Sequence, residues 1–204
     1  MRFLFSLVLG VGLLAAFTGQ AQKTSVVESV KSTAGIVNTA AGKDLVFNNY
    51  HDYGLNFSLS FPQTDLVATE RAGMYVVHGQ PLQVLVVPAA SFRTDSAATT
   101  LQRYIANEAA YFRQEMKLDI EPFARVGEDK SGFFCAIWGF PMPAGTNEQI
   151  AQQLFVVFLR DDYIVSVGSV QMQGQDISAP LELLLATART YKASATPISL
   201  KRRR

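Results

Sequence analysis

Gly132 to Met172 reads GFFCAIWGFPMPAGTNEQIAQQLFVVFLRDDYIVSVGSVQM, and this stretch decides the fold. Phe133, Cys135 and Ile137 alternate with Phe134, Ala136 and Trp138, so both faces of the run are apolar. Leu154 to Leu159 is again apolar on both faces, and Tyr163 to Val170 is mostly so. Short apolar runs bounded by turn residues are strands from the middle of a covered sheet. The turns are legible too: Pro141 to Asn147 is a hairpin loop, and Arg160-Asp161-Asp162 is a tighter one. Loops of that length imply antiparallel pairing. With Cys135 and Trp138 at odd spacing on one strand, the two side chains belong to opposite faces.

Working outward, Ile120 to Val126 forms a preceding strand that turns at Gly127-Glu128-Asp129-Lys130. Before it lies the best helix in the chain, from about Ser96 to Leu118. Leu101, Ile105, Ala109, Phe112 and Met116 make one apolar stripe, with Tyr104 and Glu108 beside it. Thr94, Asp95 and Ser96 offer N-caps. Earlier still, Leu55, Phe57, Leu59 and Phe61 alternate with Asn56, Ser58 and Ser60, giving a half-buried strand. Met74 to Gly79 and Leu82 to Val87 have hairpin spacing, and Asp65 to Glu70 is a short strand. After Gly174-Gln175-Asp176 a second helix is expected over 179–192. Ser178 is its cap, Pro180 lies in its first turn, and Leu181, Leu184, Leu185 and Ala188 face inward. The order is strands, long helix, strands, short helix. A sheet apolar on both sides needs cover on both. The expected fold class is therefore α+β: a mostly antiparallel central sheet flanked by helices, an α/β/α sandwich.

The ends read differently. Residues 1–21 have the order of a secretory signal peptide, with Arg2, an apolar stretch from Phe3 to Phe17, and small residues Gly19 and Ala21 before a cut after Ala21. The expected location is secreted or periplasmic. Residues 22–49 are rich in Ser, Thr, Ala, Gly and Asn, so they read as a linker that can be deleted without unfolding the domain. The domain is expected over 50–193 and a basic tail over 194–204. The chain without residues 1–21 has no net charge, and Lys201 to Arg204 hold four positive charges, so residues 22–200 are net −4. That argues against a nucleic-acid-binding body. One cysteine, Cys135, allows no internal disulfide, so the apolar core must hold the domain together.

The arrangement resembles the PsbP-like proteins, a group that includes a thylakoid-lumen accessory protein of photosystem II, secreted bacterial relatives and the structurally similar Mog proteins. Tyr53-Gly54-Leu55-Asn56-Phe57-Ser58-Leu59-Ser60-Phe61-Pro62 is similar to the family's opening strand, which ends in proline. The helix from about Ser96 to Leu118 sits where that family has its long helix. The strands through Gly132, Ile150 and Tyr163-Ile164-Val165-Ser166-Val167 follow in the same order. Arg189-Thr190-Tyr191 stands where the family often ends in a Ser-Phe pair, and Leu66 stands near its usual tryptophan. The match covers about 50–193. It implies a non-enzymatic binding or assembly-accessory domain, and no family binding residue transfers.

The search for chemistry finds no nucleophile elbow, no His-Glu-x-x-His, no Cys-x-x-Cys and no phosphate loop. His51 and Asp52 are neighbours on extended chain and point apart. His78 is a rim residue beside Gly79. Cys135 is an inert buried thiol with no cation near it in sequence. Asp161 with Asp162, and Glu128 with Asp129, are turn residues. Asn56-Phe57-Ser58 has the spelling of a glycosylation acceptor but lies inside a strand. No catalytic residue, cofactor or metal is expected. The candidate ligand or partner surface is aromatic: Tyr111, Phe112, Trp138 and Phe140. The functional expectation is a protein-interaction or assembly-accessory module with an envelope protein as partner. The alternative is a carrier of an apolar small molecule held between the long helix and the sheet.

Overall fold

The computed structural model describes residues 27–29, 32–61, 66–71 and 73–200. The signal peptide with its cut after Ala21, and the basic tip Lys201 to Arg204, lie outside the described residues. The fold is α+β, and every strand pairing is antiparallel.

The larger sheet has seven strands: β5 (Val67–Ala68), β6 (Met74–Val77), β7 (Gln80–Pro88), β8 (Phe123–Glu128), β9 (Phe134–Pro141), β10 (Ile150–Arg160) and β11 (Tyr163–Met172). Their order across the sheet is β5-β6-β7-β11-β10-β9-β8. The doubly apolar strands β9, β10 and β11 thus sit side by side and away from both edges, as their composition requires. The β6–β7 hairpin turns on two residues, His78 and Gly79, with φ of 51° and 74°. Two positive φ values in a row give a turn whose twist matches the strands, and glycine meets that demand at no steric cost. The turn falls one residue before the Gly79-Gln80-Pro81 expected from sequence.

Helix α1 (Ala97–Gln114) covers one face of this sheet. Ser96 is its N-cap, its hydroxyl accepting from the Thr99 N–H at 3.1 Å. It ends earlier than the sequence suggests. Lys117 takes a left-handed φ of 57°, and the Leu118 N–H reaches back to the Phe112 carbonyl at 3.1 Å. Arg113 then ties the outgoing chain by donating to the Ile120 carbonyl at 2.9 Å.

The other face is covered mainly by a second sheet, and here the expected linker over 22–49 is corrected. Strands β2 (Ser32–Thr39) and β3 (Gly42–Asn48) form a hairpin inside those residues. With β1 (Val27–Ser29), β4 (Asn56–Phe61) and β12 (Lys192–Ser194) they make a five-stranded sheet of order β1-β2-β3-β4-β12. Leu45 pairs with Leu59 and Phe47 with Phe57, and all four are at most 2% exposed. Small polar residues looked like a linker because composition does not register a cross-strand partner. Leu45-Val46-Phe47 is the apolar signal within it, too short to read alone.

The tail boundary at 194 is corrected as well. The Asn48 side chain bonds both backbone groups of Ile198, accepting at 2.7 Å and donating at 2.9 Å. Leu200 lies over Gly35, where an added Cβ would stand 3.2 Å from its Cδ2. Gly35 pairs with Val46, so this segment also shields Val46, which is 1% exposed. Strand pairing and these contacts thus tie residues 27–29, 32–48 and 194–200 to the rest of the described fold.

Helix α2 (Ser178–Arg189) lies beside the smaller sheet and packs on β10, β11 and β4. Ser178 is not its cap: Ser178 is the first helical residue, Ile177 holds the N-cap position, and the Asp176 carboxylate two residues earlier accepts from the Ser178 N–H at 2.9 Å. The helix stops at Arg189, three residues short of the expected end, because Lys192–Ser194 pair with β4 instead. The cover is thus α1 on one side, and a sheet with α2 on the other.

Candidate binding site

Of the four aromatic candidates, three are withdrawn from solvent. Phe112, Trp138 and Phe140 are 2%, 1% and 0% exposed, between α1 and the large sheet. Trp138 stacks on Phe155 with centroids 4.5 Å apart, and Phe112 meets Phe140 at 4.8 Å. Tyr111 alone reaches the rim, half-buried, with its ring edge-on to Phe112 at 6.0 Å. As a surface for a partner, the group reduces to Tyr111. The alternation that put these rings on a strand and a helix stripe is the reason they point inward.

This layer holds two polar features. The Trp138 indole N–H is buried with no hydrogen-bond partner. Glu108, on the inward side of α1, has its carboxyl pushed up to about 7 by burial, against a lowering bond from Asn107. Tyr104 is raised by burial, and its hydroxyl is bonded to Ser166. A protonated Glu108 removes a charge from the layer.

Cys135 lies on the opposite face of β9, 3% exposed. Its thiol is pushed up to about 11 by burial first and by the Asp129 charge second, while Arg189 pulls the other way. It stays protonated at neutral pH. His51 and His78 are exposed, in tight turns with φ of 46° and 51°. Asp129 organises its turn, accepting from the Ser131 N–H at 2.7 Å, the Ser131 hydroxyl at 2.6 Å and the Phe133 N–H at 3.1 Å. With the Arg189 guanidinium these bonds hold its carboxyl well below the usual range, the Ser131 hydroxyl contributing most. Among the described residues no group of three or more His, Cys, Asp or Glu is placed to hold a metal ion.

The layer between the two sheets ends differently. Leu154, Val156 and Phe158 are inward residues of β10, each fully buried, and strict alternation continues to Arg160 on the same face. Arg160 is half-buried at the end of the strand. Its guanidinium carbon stands 5.2 Å from the centroid of the Phe158 ring and 5.4 Å from that of Phe133. Such a contact contributes about 0.5–2 kcal/mol and leaves the N–H edge open. It donates to the carbonyl of its chain neighbour Leu159 at 3.2 Å. Nearby arginines are paired with carboxylates: Arg93 with Asp162 at 2.8 Å, Arg189 with Asp129. Among the described residues Arg160 has no such pair.

Tyr191, just past α2, closes the same end. Its ring stacks on Phe57 at 5.3 Å and meets Phe158 edge-on at 5.7 Å. Its hydroxyl is buried without a partner. Burial first, then the Asp161 charge, push this phenol up to about 12, with Arg160 opposing. Tyr163 stands alongside, donating to the Tyr53 carbonyl at 3.0 Å and stacking on Tyr53 at 6.0 Å. The result is an aromatic mouth holding one arginine and one phenol, both short of hydrogen-bond partners. Sequence reading placed Arg160 in a turn and Tyr191 in a helix. The available signal was a charged residue at an inward position of an otherwise apolar strand.

No family model matches this sequence, and no curated protein matches it. Among solved structures, the chain is similar to the solution structure of cyanobacterial PsbP (CyanoP) from Synechocystis sp. PCC 6803. The TM-score is 0.48 and the identity 10%, over 74% of this chain and 92% of that one. Nothing about partners or ligands transfers to this chain from a likeness at that level.

Proposed function

We propose that this chain is an exported, non-enzymatic binding domain, a protein-interaction or assembly-accessory module that meets its partner at the open end between the two sheets. One observation carries the reading: Arg160 is half-buried among rings with no carboxylate of the described residues in ion-pair range, whereas its neighbours Arg93 and Arg189 each have one. Desolvating a guanidinium without a counter-charge is costly, and a partner's group offsets that cost. Arginine and tyrosine at a desolvated centre are also the residue types that dominate contact energy between proteins. Export rests on the order of residues 1–21, and no helix among the described residues is long and apolar enough to cross a membrane. The alternative of an apolar carrier draws less support, since rings in mutual contact occupy the space between α1 and the sheet.

The test is site-specific photo-crosslinking in cells exporting the full chain. A photo-reactive residue replaces Lys192, exposed beside Tyr191, or Arg103, exposed on α1. A discrete protein adduct at 192 and none at 103 is the expected result. Adducts of equal yield at both positions, or lipid as the sole captured species, would overturn it.

A further inference from the structure

We propose that Arg160 and Tyr191 form a receptor for a single carboxylate carried on an apolar stem. This rests on the reading of the mouth as the contact surface and adds the chemistry of the contacting group. The Phe133 and Phe158 rings flank the guanidinium carbon at 5.4 Å and 5.2 Å, and Nη1 donates to the Leu159 carbonyl at 3.2 Å, so Nε and Nη2 are the N–H groups without a partner among the described residues. A planar fork of that kind matches a carboxylate through two parallel bonds. Phe158 is shared: its ring also meets Tyr191 at 5.7 Å, so Arg160 and Tyr191 pack on one ring, and the Tyr191 hydroxyl has no partner among the described residues. One carboxylate on Arg160 meets the cation's need for a counter-charge and the phenol's need for an acceptor together.

The surroundings choose among anions. Asp161 stands next to Arg160 and raises the Tyr191 phenol, and residues 22–200 are net −4. Asp162 and Asp129 are neutralised by Arg93 and Arg189. The Arg160 guanidinium and one exposed lysine, Lys192, against that background favour a ligand of low charge and disfavour polyanions such as phosphorylated or nucleic-acid ligands. The rings of Phe133, Tyr163 and Tyr191 give an apolar stem somewhere to lie. A chain-terminal carboxylate of a polypeptide and a short fatty acid share this chemistry.

The experiment uses the full exported chain, labelled so that arginine Nε–H signals are resolved by NMR. The probes are sodium hexanoate, a short peptide ending in Phe with a free carboxylate, and the same peptide amidated. Saturable movement of the Arg160 signal with hexanoate or the free peptide, and none with the amide, supports the site. Movement with the peptide assigns a protein source. Movement with hexanoate alone keeps the site, assigns a small-molecule source and overturns the protein-partner reading. Arg160→Lys, which keeps the charge but loses the fork, is expected to bind at least about tenfold more weakly, and Tyr191→Phe several-fold more weakly. Absence of any shift, or equal binding by the amide or by Arg160→Lys, overturns the site. A protein adduct in the crosslinking experiment alongside a silent Arg160 signal would reject the carboxylate while leaving the binding domain standing.

Discussion

The two apolar layers of this protein differ in who closes them. Under α1, one helix lies over one sheet face, and Phe112, Trp138, Phe140 and Phe155 fill the space with rings in contact. Between the sheets, closure comes from both ends of the chain, residues 32–61 and 178–200, brought together only on folding. Each layer holds one buried polar atom without a hydrogen-bond partner among the described residues, the Trp138 indole N–H in the first and the Tyr191 hydroxyl in the second. They differ in the charge at the margin: the second ends in Arg160, which donates to the Leu159 carbonyl and has no carboxylate partner among the described residues. A layer closed by distant segments keeps a rim where they meet, and there a cation can stand half-buried.

The strongest way to break this contrast is to remove residues 32–48. That deletion takes Leu45, Val46 and Phe47 out of the core, each at most 2% exposed. At about 1.5–3 kcal/mol for each large apolar side chain, against a total of roughly 5–15 kcal/mol, cooperative unfolding in urea should be lost. A deletion variant with a sharp transition near the parent's would show that the second layer is dispensable, as the composition alone suggests.

Next in size is Trp138 in the closed layer. Trp138→Ala should cost about 3–5 kcal/mol. Trp138→Phe should cost much less, because the indole N–H it removes has no partner. Chemical denaturation of the two variants checks the pair, and equal losses would mean that the N–H is satisfied in solution.

Glu108 offers a comparable effect that depends on pH. Its folded value is raised from the usual 4.5 to about 7, so the folded state holds the proton more tightly than the unfolded. The resulting stability is fully present below about 4.5 and is lost as pH rises through about 7. The size is on the order of 3 kcal/mol. Glu108→Gln should flatten the profile over that window. A parent profile that is already flat there would place the carboxyl in water.

Cys135 tests the second layer more gently. Buried and pushed up to about 11, its thiol should resist alkylation at neutral pH until the protein unfolds. Rapid native labelling would mean that α2 opens on its own. The smallest effect is expected at the rim, where Arg160→Gln should shift stability by no more than about 2 kcal/mol. A loss of several kcal/mol would make Arg160 a structural residue.

Much of this was legible beforehand. The doubly apolar strands, the stripe of α1 and the buried position of Cys135 follow from local alternation and spacing, which need no knowledge of distant residues. Residues 32–48 were misread because Gly35 and Val46 gain meaning only beside each other and beneath Leu200. Tyr191 was misread for a similar reason: helix propensity continues to 192, but pairing of Lys192 with Ser58 ends the helix. The site suffered most, since aromatics draw attention while a lone arginine after Leu159 looks like any turn.

The sequence by itself determined the antiparallel central sheet, the long helix over it and the opposite facing of Cys135 and Trp138, because a strand's period of two and a helix's period of 3.6 act within a few residues. Only the tertiary structure decided that residues from both sides of the large sheet's strands build a second sheet, and that Arg160 and Tyr191 both pack on Phe158 at its mouth. Those outcomes depend on contacts between distant residues, such as the bonds between Asn48 and Ile198, 150 positions apart, and no local pattern encodes which distant segment will supply the partner.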